Sequence, residues 1–222
     1  MDVSETRSRL NALLMAAGLT PLDDATAGRF EDYLSLFIRW NERLNLSAIR
    51  DEESIVSRHL VESIAVAREL PQGITSLLDF GSGAGLPGIP IALCRPEVAV
   101  TLAESQGKKS AFLQEAVRVL RIQAKVHAGR AEVLRTVFDC VVLRAVDRMP
   151  KAVAAAAPLV APAGWLALMT TTSEFEGLKR AAGTEFSWPT VKQLTGGSHR
   201  IVAIGSRCSP RPGSTKPESK PR

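Results

Sequence analysis

The sequence predicts an α/β fold built on a mostly parallel, doubly wound sheet of seven strands. Short apolar runs alternate with amphipathic helical patterns from residue 75 onward, which is typical of parallel strands joined by helical crossovers. The first run, residues 77–80, leads directly into a glycine-rich turn at Gly81, Gly83 and Gly85. Such a turn is the usual place for a cofactor on a doubly wound sheet.

Three helical patterns precede the first strand, and we expect them to form an N-terminal cap over residues 1–72. Residues 6–18 carry leucines at helical spacing and end at Gly18. A longer pattern begins near Pro21 and Asp23 and runs to Leu44. Residues 54–70 form the third helical pattern. A sheet of this class does not require these helices, so we expect them to lie beside the ligand crevice.

Residues 73–206 form the predicted cofactor-binding core. Strands are predicted near 75–80, 98–103, 124–127, 138–143, 165–169, 188–194 and 200–205. Helices are predicted at 88–94, 108–121, 131–135, 150–161 and 174–182, with Pro158 expected to kink or shorten the fourth. We expect Ala163-Gly164 to turn into the fifth strand. The last two strands should form an antiparallel hairpin through Gly196-Gly197.

The positive charge is concentrated at the end of the chain. The 222 residues carry a net charge of +5, but residues 207–222 hold five basic residues and one acidic residue. The first 206 residues therefore carry only +1. Pro, Ser, Gly and Lys dominate the last segment, and we predict a disordered basic tail over 207–222.

Composition argues against membrane, secreted and metal-binding classes. No apolar run reaches the roughly 18 residues of a membrane helix, and the first residues lack the pattern of a signal peptide. Three cysteines, unpaired by spacing, suit a reducing compartment, so we expect a cytoplasmic protein. Their spacing suggests no metal site.

Asp79 ends the first strand, so its carboxylate should lie at the crevice outside the strand ends. The turn after it reads G-x-G-x-G rather than G-x-G-x-x-G. An acid followed by this spacing favours a nucleoside that bears an amino acid, as in S-adenosylmethionine. Asp79 would contact the ammonium group, and the N–H groups of the turn would face the carboxylate. Alternatively, the glycines serve only a buried strand–turn–helix junction.

Glu104 ends the second strand, 25 residues after Asp79. An acid at this position can accept hydrogen bonds from both ribose hydroxyls of a bound nucleoside. The structural alternative is a solvated acid that caps the following helix.

Two further candidates follow the third and fourth strands. The Ala131-Glu132 pair lies where such sheets cover an adenine edge, although many acidic turns only begin helices. Arg144 ends the fourth strand, and a charge at the end of a buried strand needs a partner. It would clamp a carboxylate or phosphate of the ligand, or pair with Asp147.

With these residues assembled, the sequence resembles the glucose-inhibited division protein B family, bacterial guanine-N7 methyltransferases of small-subunit (16S) ribosomal RNA. Residues 40–47, WNERLNLS, match the family's W-N-x-x-x-N-L-T/S, and residues 58–63, RHLVES, resemble R-H-x-x-D-S with Glu for Asp. Residues 83–90, GAGLPGIP, follow G-x-G-x-P-G-I-P. The similarity extends over residues 10–204.

This resemblance implies a Rossmann-like class I methyltransferase fold, with S-adenosylmethionine as cofactor and small-subunit ribosomal RNA as partner. Matched position by position, the family's cofactor contacts fall on Gly81, Leu86, Ala131, Glu132 and Arg144. Asp79 and Glu104 take the roles argued above, and Gly83 of the turn completes the expected cofactor site. The resemblance also places Arg58, His59 and Glu62 in a cap motif on the substrate side. Glu62 is a candidate for stabilising charge on the purine.

The sequence departs from the family at one element and leaves other functions open. Residues 168–172 read LMTTT where the family has Leu-Lys-Gly, which removes a cation from the crevice edge. The alternatives are a methyltransferase of a small molecule or a protein, and a non-catalytic member that binds nucleoside or RNA. A nicotinamide dehydrogenase fits poorly, because the third glycine is wrongly spaced. We expect a monomer.

Overall fold

The computed structural model describes residues 3–44, 46, 55–194 and 199–208. Its helices are α1 (Val3–Ala16), α2 (Asp24–Leu44), α3 (Val61–Glu69), α4 (Gly88–Cys94), α5 (Gly107–Leu120), α6 (Met149–Ala156) and α7 (Thr172–Ala182). Its strands are β1 (Ser76–Phe80), β2 (Ala99–Glu104), β3 (Ala124–Ala128), β4 (Phe138–Arg144), β5 (Val160–Thr171), β6 (Phe186–Gln193) and β7 (Arg200–Arg207). A π-helical segment, Ile55–Leu60, runs directly into α3.

The seven strands form one sheet in the order β3-β2-β1-β4-β5-β7-β6. The first five strands of the chain pair in parallel, and β7 runs antiparallel to both β5 and β6. The predicted seven-stranded, mostly parallel sheet with a closing antiparallel hairpin is therefore confirmed. After β3 the chain crosses to the other side of β1, so the direction of winding reverses between β1 and β4. Ligand crevices form at such a reversal.

Alternate residues of each central strand enter two separate cores, as expected for a sheet covered on both faces. Leu77 and Val142 belong to a core shared with α1–α5, whereas Leu78 and Val141 belong to a core shared with α6 and α7. The first core contains cap side chains such as Phe30 together with strand side chains. The cap and the sheet thus share one hydrophobic interior.

Local sequence explains where α2 begins. The carboxylate of Asp23 accepts hydrogen bonds from the backbone N–H and the hydroxyl of Thr26, at 2.9 and 2.8 Å. Asp23 therefore satisfies a donor that the first turn of a helix leaves without a partner. The buried residues Phe30, Leu34 and Phe37 then recur at helical spacing along α2.

The prediction for 150–161 is partly wrong. Helix α6 ends at Ala156, a short 3₁₀ turn follows at Ala157–Leu159, and β5 already begins at Val160. Pro158 lacks the N–H that an α-helix needs, which explains the early end. Ala163 and Gly164 lie inside β5 rather than before it, because the register shifts there and produces a bulge opposite β4.

Across the part of the chain that the structure describes, no helix has both the length and the apolarity needed to cross a bilayer. The same residues contain no cluster of three or more His, Cys, Asp or Glu side chains placed to hold a metal ion.

Candidate functional site

Two adjoining cavities open at the carboxyl ends of β1, β2 and β4. The cap-side cavity, about 340 Å³, is lined by the glycine turn and by His59 of the cap. The distal cavity, about 530 Å³, is lined by residues 129–132 and by the start of α6. Five residues line both cavities: Gly81, Glu104, Ser105, Val146 and Asp147. The two cavities therefore form one cleft at the reversal of the sheet.

The turn after β1 requires glycine at alternate positions. Gly81, Gly83 and Gly85 have φ values of +74°, +56° and +81°, a region that residues with a Cβ rarely adopt. The N–H groups of Gly81 and Ser82 donate to the carbonyl oxygen of Ala103 at 3.0 and 2.9 Å, which ties the turn to β2. A Cβ at Gly85 would lie 2.4 Å from Cδ1 of Ile89. The packing of Ile89 of α4 against the turn thus also excludes a side chain at position 85.

The same turn offers backbone donors to the cap-side cavity. Ala84 and Leu86 line this cavity, and within the described residues neither backbone N–H has a hydrogen-bond acceptor. N–H groups of a tight turn that have no other acceptor suit an anion such as a carboxylate. Gly83 adds no obstruction, because the nearest atom to a Cβ there would be 4.0 Å away. The turn can hold the acidic end of a ligand.

Asp79 lies behind this turn and is not part of the cavity lining. Its side chain is 1% exposed, and Oδ2 accepts a hydrogen bond from the N–H of Gly88 at 3.1 Å. Only glycine allows this contact, because a Cβ at Gly88 would lie 2.5 Å from the same oxygen. Burial raises the pKa of Asp79 to about 7. The carboxylate therefore orients the start of α4, and its contact with a ligand ammonium stays a prediction.

Glu104 lies at the end of β2 and lines both cavities. Its Oε2 accepts from the N–H of Gly83 at 2.9 Å, and its Oε1 accepts from the N–H of Gln106 at 2.7 Å. The bond to Gln106 fits the helix-capping alternative, but the bond to Gly83 does not. Each carboxylate oxygen has a further lone pair. Glu104 can therefore accept hydroxyl groups of a ligand while it holds the turn.

The Ala131-Glu132 pair reaches the other end of the cleft. Ala131 begins a short 3₁₀ turn, Ala131–Val133, and is buried, whereas Glu132 is exposed. Both residues line the distal cavity. The pair also starts a helical turn, so the alternative that this acidic turn only begins a helix is met as well. An adenine contact stays a prediction.

Arg144 ends β4, lines the cap-side cavity and turns its guanidinium toward the cap. Nη2 lies 3.0 Å from Oε2 of Glu62 and 2.7 Å from Nδ1 of His59, and Nη1 donates to Oγ of Ser63 at 3.1 Å. Burial lowers the pKa of Arg144 to about 10, so it is still cationic at neutral pH. Among the described residues the carboxylate that pairs with Arg144 is that of Glu62. The alternative predicted from the sequence, an ion pair with the exposed Asp147, is not formed.

The three cap residues predicted on the substrate side meet at Arg144 but differ in exposure. Glu62 is 0% exposed and lines neither cavity. Its Oε2 also lies 2.8 Å from Nη2 of Arg200. Burial raises the pKa of Glu62, and the two arginines act against that rise. In this structure the Glu62 carboxylate therefore pairs with the guanidinium groups of Arg144 and Arg200 and does not reach the cavity.

His59 does line the cap-side cavity. A guanidinium carries only donors, so Nδ1 of His59 accepts from Arg144 and the ring is neutral. Burial, with a smaller contribution from Arg144, lowers the pKa of His59 to about 3. Arg58 has an exposed side chain, and its backbone carbonyl accepts from Nη2 of Arg144 at 3.2 Å.

The structure adds Arg200 and Ser63 to the site, which sequence reasoning did not single out. Ser63 lies within the quoted 58–63 motif, so that motif was an available signal. Arg200 begins β7, far along the chain from Glu62, and no local pattern marks it.

The structure also shows the element where the family's lysine is missing. Met169 is buried there and pairs in register with Arg144. The hydroxyls of Thr170 and Thr171 each donate to Glu174 at 2.9 Å.

Some sequence predictions fall on residues that the structure does not describe. These are Asn45 and Ser47 of the 40–47 motif, the Gly196-Gly197 connection and residues 209–222. Leu46 of the same motif is described, is buried and lines the cap-side cavity.

Comparison with known proteins gives a family match over most of the chain. The GidB family model, described as rRNA small subunit methyltransferase G, matches residues 27–199. A Ribosomal RNA small subunit methyltransferase G of Xanthomonas oryzae pv. oryzae is 43% identical over 151 residues, which cover 67% of this chain and 70% of that protein. The protein of that name from Neisseria meningitidis is 38% identical over 167 residues, covering 74% and 80%.

Solved structures support the fold. A predicted O-methyltransferase, protein Atu636 from Agrobacterium tumefaciens, superposes with a TM-score of 0.57 at 15% identity, covering 67% of this chain and 81% of that one. At this identity the likeness concerns the fold alone. The Rossmann-like class I methyltransferase fold expected from the sequence is confirmed.

Proposed function

Since the chain belongs to the GidB family, rRNA small subunit methyltransferase G, we propose that its cleft joins S-adenosylmethionine to a guanine N7 of small-subunit ribosomal RNA. The protein is a methyltransferase that uses S-adenosylmethionine. The observation that carries the residue assignment is the position of Glu104, which borders both cavities and binds the glycine turn through Gly83.

We place the cofactor along the whole cleft. The N–H groups of Ala84 and Leu86 would hold its carboxylate, and Glu104 would accept its ribose hydroxyls. Ala131 and Glu132 would line the site of its adenine in the distal cavity. This order follows from the chemistry of the lining, since backbone donors suit a carboxylate and an acid suits a pair of hydroxyls. Asp79 supports the turn from behind, and its carboxylate would add negative charge near the ammonium group above its raised pKa of about 7.

The methyl acceptor then enters from the cap side. When bound, the cofactor supplies an electrophilic methyl group on a sulfonium. Guanine N7 bears a lone pair in the ring plane and no proton, so the chain need not supply a general base. The neutral His59 and the buried Glu62, which lines neither cavity, fit this requirement. Catalysis therefore comes from alignment of the reacting atoms and from exclusion of water.

Arg144, Glu62 and Ser63 position the wall of that acceptor site. The guanidinium fixes the π-helical segment through the carbonyls of Arg58 and His59 and fixes the ring of His59 through Nδ1. These three residues act through His59 and the backbone rather than on the base itself. Lys109, which lines the cap-side cavity, and the exposed Arg58, next to His59 in the chain, are our candidates for contact with RNA phosphates.

We also infer the finer features that accompany this function. Residues 1–72 act as the cap that presents RNA, residues 73–206 bind the cofactor, and residues 207–222 add a basic segment. The protein works as a monomer in the cytoplasm, where ribosomal RNA is found. The shared core of cap and sheet supports a fixed rather than a separately moving cap.

The test is methyl transfer from labelled cofactor to purified small-subunit particles that lack the modification. We expect label in ribosomal RNA and in neither ribosomal protein nor small metabolites. Label confined to protein or to small molecules would favour the alternative methyltransferase functions. Cofactor binding without any transfer would favour a non-catalytic role.

A further inference from the structure

The chain's single tyrosine joins the cap to the cofactor turn. Tyr33 lies on α2 and is 1% exposed, and its hydroxyl donates to the carbonyl oxygen of Ala84 at 2.6 Å. Ala84 lies between Gly83 and Gly85 and lines the cap-side cavity. A side chain of the cap therefore binds the backbone of the turn directly.

The tyrosine ring has little freedom to move. Its centroid lies 6.2 Å from that of Phe37 on the same helix and 6.4 Å from that of Phe112 on α5. Both phenylalanines are fully buried. Burial also raises the pKa of Tyr33, so the hydroxyl stays protonated and acts as a hydrogen-bond donor. The bond to Ala84 is thus made by a fixed donor.

Within the described residues, no other group donates to the Ala84 carbonyl. The following N–H, that of Gly85, donates to the carbonyl of Ser82 at 2.7 Å. The two bonds hold opposite ends of one peptide group and so fix its orientation. The N–H groups of Ala84 and Leu86, which have no acceptor among the described residues, flank this peptide group.

We propose that Tyr33 is a positioning residue that holds the Ala84–Gly85 peptide in the orientation that binds the carboxylate end of S-adenosylmethionine. The inference rests on the proposed function and extends it to the cap. Without the hydroxyl, the Ala84 carbonyl would be buried without a donor and the turn would sample other orientations. A preorganised site binds more tightly than one that must order itself.

The first experiment compares Tyr33→Phe with Trp40→Phe by calorimetric titration with S-adenosylmethionine. Trp40 is a matched control, because its Nε1 donates to Glu115 at 3.0 Å and its ring lies 5.8 Å from that of Phe112, but it does not touch the turn. We expect Tyr33→Phe to raise the Kd for the cofactor roughly three- to tenfold. Trp40→Phe should leave that Kd within about twofold of the wild-type value.

Steady-state kinetics separate positioning from general destabilisation. Tyr33→Phe should raise the KM for S-adenosylmethionine and leave kcat nearly unchanged, since the methyl acceptor site is intact. An unchanged Kd in Tyr33→Phe, or an equal loss of affinity in Trp40→Phe, would overturn the proposal. Failure of the wild-type protein to bind S-adenosylmethionine would overturn the proposed function as well, so the two failures are distinguishable.

A second measurement needs no substitution. Because the chain has one tyrosine, protein labelled with 3-fluorotyrosine gives a single ¹⁹F resonance. Saturation with S-adenosylmethionine should shift this resonance, because the cofactor changes the hydrogen bonding of the peptide group that Tyr33 holds. A resonance that stays in place while calorimetry shows full binding would overturn the proposal even if Tyr33→Phe does not fold.

Discussion

Glu62 and Arg144 form a buried ion pair that joins the cap to the sheet, with Oε2 of Glu62 3.0 Å from Nη2 of Arg144. The pair connects α3 to the end of β4, and Arg200 brings β7 to the same carboxylate at 2.8 Å. One carboxylate thus joins α3, β4 and β7 beside Arg144, which lines the cap-side cavity.

Replacing Glu62 by Gln should destabilise the protein strongly. The change leaves the buried Arg144 without its counter-charge, and removing one partner of a buried pair costs about 3–5 kcal/mol. Denaturant unfolding measures the loss. The control is Glu69→Gln, which breaks the 2.6 Å pair between the partly exposed Glu69 and the exposed Lys192 and should cost less than about 1 kcal/mol. Equal losses in the two variants would contradict the assigned role of Glu62.

Replacing Glu104 by Gln should weaken cofactor binding. A carboxamide offers only one acceptor oxygen, so it cannot receive both the Gly83 and the Gln106 N–H groups and still bind ribose hydroxyls. We expect the Kd for S-adenosylmethionine to rise about 10- to 100-fold, the effect of losing charge-assisted hydrogen bonds. Titration calorimetry measures it, with the exposed Glu176→Gln as control. Unchanged affinity would remove Glu104 from the cofactor site.

The buried Asp79 predicts a specific pH dependence of stability. Its pKa is about 7 in the folded protein and about 3.9 in an unfolded chain, so between these values the folded state binds more protons. The contribution of Asp79 to folding stability therefore falls as pH rises through this window. Asp79→Asn should gain stability relative to wild type between pH 5 and pH 8, as measured by unfolding at each pH.

The control for this pH series is Asp139→Asn. Hydrogen bonds from Thr75 lower the pKa of Asp139, so its contribution is lost only as pH falls below the ordinary range of a carboxyl group. The difference between wild type and Asp139→Asn should thus be flat from pH 5 to pH 8. A flat difference for Asp79→Asn as well would mean that Asp79 is ionised throughout.

Removing residues 209–222 should lower RNA affinity modestly and leave cofactor affinity unchanged. The segment contains four basic residues and one acidic residue, and phosphate contacts from such residues weaken with salt. Binding to ribosomal RNA at several salt concentrations, with S-adenosylmethionine titration in parallel, measures both effects. A full-length variant with the four basic residues changed to Ser should behave like the truncation. Loss of cofactor affinity in either protein would contradict this assignment.

The parts of the fold and site that local pattern determines were predictable from the sequence. Parallel strands buried on both faces read as apolar runs, and residues that end them, such as Glu104 and Arg144, reach one edge of the sheet together. The glycine turn was recognisable because positive φ at alternate positions demands glycine. The early end of the helix after Met149 was partly predictable, since Pro158 marked it.

The remaining features depend on contacts between distant segments. Nothing near Glu62 in the sequence indicates that Arg200 shares its carboxylate, and nothing near Tyr33 indicates a bond to Ala84. Arg144 was expected to find a partner in the ligand or in Asp147, but the partner comes from the cap. Such pairs form because α2 and α3 pack on the core. The helical periodicity of the sequence predicts that these helices have an apolar face, but it does not predict which residues they contact.

The most direct measurement is a map of N7-methylguanosine in small-subunit ribosomal RNA from cells with and without this protein, followed by methylation of the deficient RNA in vitro. We predict a guanine whose N7 methyl group is absent without the protein and is restored by purified protein with S-adenosylmethionine. Restoration should fail with Glu104→Gln at limiting cofactor. An identical map in both cells, or a methyl group on a different atom, would show that the protein does not methylate guanine N7 of this RNA.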